Sequence, residues 1–186
     1  MKKVIFTLFV ILLSNLLVYS QVVRPFTQRT SQYTPGKYIY NVKGDFTLIG
    51  NTNLTLVNYG DNTSNNNSME YVDVDSDAST LNSSSSTLQF STENGAIPEC
   101  SNIIYAGLYW TGRAHNGGSS PMEFSVTKNS VTVDLNKREV LLKGPGAGSY
   151  TTVTANANDI YYPETQHSQM YSAYAEVTDY VRQYGV

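Results

Sequence analysis

Residues 102–118, NIIYAGLYWTGRAHNGG, hold the only tryptophan of the chain, Trp110, in a run with Ile103, Ile104, Tyr105, Leu108 and Tyr109. Side chains on a strand alternate between its two faces. Ile104, Ala106, Leu108 and Trp110 then share one side, and Ile103, Tyr105, Gly107, Tyr109 and Thr111 share the other. Both sides are largely apolar, which predicts a central strand covered on both faces. Trp110 is expected inside a core, with its indole N–H on a carbonyl, because a buried indole needs an acceptor. Tyr105 and Tyr109 keep a second reading open, a platform on which a sugar ring stacks. The two readings differ in one observable: whether the tyrosines are buried or displayed.

Outward from this stretch, short runs of strand-forming residues recur. KYIYNVK (37–43) alternates Tyr38, Tyr40 and Val42 with Lys37, Ile39, Asn41 and Lys43. DFTLIG (45–50) and NLTLVNYG (53–60) follow, each closed by Gly. Alternation over such lengths is the signature of a half-buried strand. DNTSNNNS (61–68) opens a polar stretch, 61–86, that reads as an exposed loop before a strand at Leu88 and Phe90. MEFSVTK, SVTVDL and REVLLKG predict a meander with tight turns near Asn129 and at Asn136-Lys137, and GPGAGS (144–149) a flexible loop. YTTVTAN, IYY and MYSAYAEV complete the set. In TDYVRQYG (178–185), Tyr180, Val181 and Tyr184 stand at helical spacing behind Thr178 as N-cap. The expected fold is therefore all-β, an antiparallel β-sandwich or jelly roll of about ten strands, with one short helical turn near the C-terminus.

Composition agrees. Charged residues make up 15% of the chain, against about 25% in typical soluble domains. The 15 tyrosines, with many Thr and Val, favour strands. A net charge of −3 with few, scattered basic residues gives no footprint for nucleic acid.

At the N-terminus, Lys2 and Lys3 precede an apolar run from Val4 to Val18 that ends at Val18-Tyr19-Ser20. This reads as a signal peptide over residues 1–20, with Gln21 as the new N-terminus. The run is shorter than the roughly 20 residues that span a bilayer, so no stable membrane insertion is expected after its removal. Residues 21–36 are polar and turn-rich, an extended arm, and 37–186 form the β-sandwich domain. The ending Tyr184-Gly185-Val186 directly after a helical turn predicts a domain cut short, with at least one strand further on. Cys100 is the only cysteine; it reads as a small buried apolar residue, or as a thiol reactive or paired outside this chain.

Four stretches in order, GDFTLIGNTNLT, YVDVDSDASTLNSSSSTLQF, IIYAGLYWTG and YSAYAEVTDYVRQYG, carry a family resemblance. Together they look like the N-terminal module of very large secreted, adhesin-like surface proteins of gliding bacteria (Bacteroidota). In such proteins Ig-like repeats and a gliding-motility-associated C-terminal sorting domain follow the module. The resemblance covers residues 24–185. It implies a β-sandwich in a cell-surface protein and no known enzymatic activity.

Candidate chemistry is sparse. Asp73, Asp75 and Asp77 in DVDSDAST stand at alternate positions, like the start of a calcium loop of hard oxygen ligands. Ala78 and Ser84 occupy the positions where an EF-hand needs Gly and Glu, so that motif fails. A looser Ca²⁺ site and a plain acidic turn, its carboxylates bonded to backbone N–H groups, both remain. Ser83 to Ser86 lack a G-x-S-x-G elbow and read as a hydroxyl-rich turn. His115 and His167 belong to no metal or catalytic motif, and GPGAGS lacks the Lys and Ser/Thr of a phosphate loop. Two function classes follow. One is a non-catalytic structural or adhesive module, with cell-surface glycans or other surface proteins as partners. The alternative is a carbohydrate-binding, or less readily carbohydrate-cleaving, sandwich.

Overall fold

The computed structural model describes residues 28–31, 39–60, 67–115, 120–162 and 169–185. The expected signal peptide and most of the expected arm lie outside them. The chain divides into two compact units, Met1–Tyr40 and Asn41–Val186. Every strand and helix described below belongs to the second.

Among the described residues there are nine strands: β1 Leu54–Leu56, β2 Met69–Tyr71, β3 Gly107–Arg113, β4 Glu123–Lys128, β5 Val131–Asn136, β6 Glu139–Leu142, β7 Thr151–Thr154, β8 Ile160–Tyr161 and β9 Met170–Glu176. One helix, α1, spans Thr178–Tyr184. All pairings are antiparallel, and they form four small sheets, β1-β2, β3-β9-β8, β4-β5 and β6-β7. The chain is thus all-β with one short C-terminal helix.

The three-stranded sheet organises the core. In its register Trp110 faces Ala173, and Ala173 in turn faces Ile160 on β8. Alternation puts these three side chains on one face. There Ala155, Ile160 and Ala173 are buried, with Trp110, Tyr162 and Tyr171 packed against them. The Trp110 indole N–H donates to the Lys137 carbonyl at 2.9 Å, as a core tryptophan requires. The side chain of Lys137 is 1% exposed. Its ammonium donates to the Ala114 carbonyl at 3.1 Å and lies 5.9 and 5.7 Å from the ring centroids of Tyr162 and Tyr171. Burial pulls this amine below the usual lysine range. The turn after β5 therefore ties the end of β3 to β8 and β9.

Several expectations need correction. Among the described residues β3 is not a central strand: it pairs with β9 alone, and its burial alternates, exposed and half-buried, along its length. Its second face looks apolar in sequence because tyrosine is amphipathic and is tolerated at a wet surface. The described residues of the first two expected strands, 39–43 and 45–50, form no strand, and Phe46 and Leu48 are 85% and 90% exposed. No strand forms at Leu88 or Phe90, whereas β2 arises inside the stretch read as loop. The expected meander splits into two hairpins, because β6 turns to β7 rather than to β5. The Asn129 turn is where it was expected. Asn129 and Ser130 have φ of 51° and 65°, the left-handed pair of a two-residue hairpin that twists with its strands.

The helix begins where expected but is capped differently. Thr178 makes no side-chain cap; its hydroxyl accepts from the Ala106 N–H at 3.0 Å and donates to the Glu176 carboxylate at 2.9 Å. Tertiary partners have claimed the capping group. GPGAGS is not a free loop either. The Gly144 N–H donates to the Tyr180 hydroxyl (2.9 Å), that hydroxyl donates to the Leu142 carbonyl (3.1 Å), and the Gly146 N–H donates to the Tyr184 carbonyl (3.1 Å). A Cβ on Gly144 would stand 2.2 Å from the Tyr184 carbonyl oxygen, so only glycine lets the helix approach this closely. Cys100 is an exposed free thiol in a 3-10 turn, Pro98–Cys100, and not a buried apolar residue.

Candidate functional site

The outer face of the β3-β9-β8 sheet is built by the same alternation that builds the core. Tyr109 on β3 lies directly opposite Tyr174 on β9, where cross-strand side chains meet. Their ring centroids are 4.8 Å apart, tilted by 45°. Tyr105 precedes β3 and places its hydroxyl 2.6 Å from that of Tyr174. Between them sits Gly107. A Cβ there would meet Tyr105 Oη and Tyr174 Cε2 at 2.9 Å and Tyr109 Cε2 at 3.3 Å. The missing side chain is the space into which three tyrosines close.

The three differ in exposure: Tyr174 is 7%, Tyr105 41% and Tyr109 64% exposed. Tyr174 is the floor and Tyr109 the displayed ring. Burial, and then the hydrogen bond with Tyr174, raises the pKa of the Tyr105 phenol. It stays protonated at any physiological pH. The cluster thus displays the Tyr109 ring beside the Tyr105–Tyr174 hydroxyl pair. Glu176 stands opposite Gly107 on the same face, its carboxylate accepting from Thr178.

Tyr105 and Tyr109, singled out in the sequence, are brought together. Tyr174, which completes the group, was missed. The alternation of MYSAYAE shows that Tyr174 shares a face with Ser172 and Glu176, but pairing with β3 in this register is a tertiary fact.

The acidic stretch is organised around Ser83. The buried Ser83 hydroxyl lies 3.3 Å from Asp73 Oδ1 and 2.9 Å from Asp75 Oδ1, and accepts from the Val74 N–H at 2.9 Å. Asp73 also accepts from the Ser76 N–H (2.9 Å) and lies 3.8 Å from the Lys128 ammonium. Asp75 accepts from the Asp77 N–H (3.1 Å) and, through Oδ2, from the Tyr150 hydroxyl. Asp77 is turned to Ser79, accepting from its N–H (2.9 Å) and its hydroxyl (2.7 Å). Asp73 and Asp75 therefore converge, and Asp77 does not join them. Among the described residues no group of three His, Cys, Asp or Glu side chains is placed to hold a metal ion. The donors, Tyr150 foremost, hold the Asp75 carboxyl down to about 2, and the same contact pushes Tyr150 up to about 12. Ser79 lowers Asp77 in the same way. Each carboxylate closes a turn of its own loop.

Of the remaining candidates, His115 Nδ1 is 3.0 Å from Gln169 Nε2, and His167 lies outside the described residues. No helix among the described residues is long and apolar enough to cross a membrane. No family model, curated protein or solved structure matches the chain.

Proposed function

We propose that this chain is a non-catalytic N-terminal module of a secreted, adhesin-like cell-surface protein, and that its small sheets are layers of a β-sandwich. The observation that carries the reading is the two-faced β3-β9-β8 sheet. One face builds the Trp110 core, and the other displays Tyr109 at 64% exposure. A displayed tyrosine ring is suited to contact, because it joins stacking area to a hydrogen-bonding tip. Export rests on the leader-like residues 1–20, and the adhesin context on the resemblance of residues 24–185. The partners in this reading are glycans or proteins of another surface.

The test is made in the host cell, with the whole protein. Antibody against residues 37–186 is expected to label intact cells. In-frame deletion of those residues is expected to lower attachment to coated surfaces while the rest of the protein is still exported. Label reaching the protein only after cell lysis, or attachment unchanged by the deletion, would overturn the proposal.

A further inference from the structure

We infer that Tyr109 and Tyr174 form an oxidative cross-linking site, at which a one-electron oxidant joins the two rings by a Cε–Cε bond and staples β3 to β9. The inference goes beyond the adhesive reading and does not depend on it.

Three observations lead to it. The first is the placing of the reactive atoms. A tyrosine that loses an electron and its phenolic proton becomes a radical, shared between the oxygen and the ring carbons beside it, the Cε positions. Two such radicals form dityrosine when their Cε atoms meet. Tyr109 and Tyr174 stand directly opposite on paired strands, with ring centroids 4.8 Å apart. Tyr109 Cε2 and Tyr174 Cε2 lie 3.3 and 2.9 Å from the point where a Cβ on Gly107 would stand. Both coupling carbons thus converge on the space that this glycine leaves open. Groups held together in this way react within the chain faster than between chains.

The second is a path for the proton. Tyr105 brings its oxygen, not a ring carbon, to the same point. Its hydroxyl is 2.6 Å from that of Tyr174 and is hydrogen-bonded with Tyr109 as well. A phenol gives up its electron readily only when its proton has an acceptor, and a hydroxyl both accepts and donates. Tyr105 is itself exposed, which opens the way on to solvent.

The third is access and use. The exposed Tyr109 ring meets the oxidant, and the buried Tyr174 is oxidised through its contacts with Tyr105 and Tyr109. Cys100 is the only cysteine, so a disulfide, the usual staple of small secreted domains, cannot form within the chain.

The oxidant is hydrogen peroxide acting through a haem peroxidase. It takes one hydrogen atom from each phenol and is reduced to water. The radicals join Cε2 to Cε2, and each ring becomes aromatic again as its Cε2 proton is lost and its oxygen regains one. The chain is left lighter by two hydrogens.

Treating the whole chain with hydrogen peroxide and a haem peroxidase, then mapping the monomer by mass spectrometry of its peptides, tests the site. Dityrosine emission is expected, with Tyr109 and Tyr174 joined. The cross-linked monomer should melt higher, because a closed loop restricts the unfolded chain. Tyr109→Phe keeps the ring but has no phenolic proton to lose, so this variant should fold and lose the link. Treatment in urea, which parts the strands, should lose it too. No dityrosine in the monomer, links confined to other pairs such as Tyr180–Tyr184, an undiminished yield from Tyr109→Phe or in urea, or a melting temperature that does not rise would each overturn the inference.

Discussion

In residues 107–113 an alternating sequence has found a partner; in residues 45–50 a similar one has not. GLYWTGR pairs along its whole length with β9, and the face carrying Leu108 and Trp110 turns to the core. DFTLIG has the same period, yet it forms no strand, and Phe46 and Leu48 are 85% and 90% exposed. The difference lies in neither propensity nor pattern. A strand is stabilised by a neighbour that satisfies its backbone groups and by a second layer that covers its apolar face. Alternation says only that a segment is fit for such a place.

The largest expected effect is on the paired side. Trp110→Ala removes a large apolar contact with Ala155, Ile160 and Ala173 and leaves the Lys137 carbonyl without its indole donor. The cost should be about 3–5 kcal/mol in urea denaturation. A loss below about 1 kcal/mol would mean that this region is no better packed than the other.

Next is the seat of the helix. Gly144→Ala puts a Cβ 2.2 Å from the Tyr184 carbonyl oxygen, and backbone cannot swing aside as a side-chain tip can. The expected cost is about 1–3 kcal/mol. At Gly148, where nothing lies within 4 Å of the added carbon, alanine should be neutral within about 0.5 kcal/mol. Equal effects at the two glycines would show that the 144–147 turn does not hold the helix.

Smaller still is the unpaired side. Phe46→Ser and Leu48→Ser should each change stability by no more than about 0.5 kcal/mol, since neither removes a buried contact. A cost above about 2 kcal/mol would break the comparison, because it would mean that both stretches are covered in solution.

The smallest effect concerns Asp75. Its folded pKa is held at about 2 against an ordinary 3.8. A depressed carboxylate contributes stability that is fully present above its unfolded value and is lost as pH falls through the folded one. Tyr150→Phe removes the largest cause of the depression. The variant should melt below the parent near neutral pH, and the gap should close between about pH 4 and pH 2. A gap independent of pH would sever Tyr150 from Asp75. Asp75 already accepts from Ser83, Tyr150 and the Asp77 N–H, so melting curves with millimolar calcium and with chelator are expected to coincide. A rise with calcium that Asp75→Asn abolishes would place a cation at Asp73, Asp75 and Asp77.

What the sequence determined by itself was local. The strand character of 107–113, 123–128 and 170–176, the tight turn near Asn129, the helix at 178–184 and the need of Trp110 for a carbonyl all follow from side-chain period, turn chemistry and hydrogen-bonding valence. Each acts over a few neighbouring residues. Tertiary structure decided the rest. It made β3 an edge among the described residues, paired β6 with β7, took Thr178 from its cap for Ala106 and Glu176, and left Phe46 and Leu48 uncovered. It also brought Tyr174 to Tyr105 and Tyr109, and Ser83 and Tyr150 to Asp75. Those outcomes depend on which strand meets which and in what register. A one-residue shift in register reverses every face while leaving the alternation in the sequence unchanged.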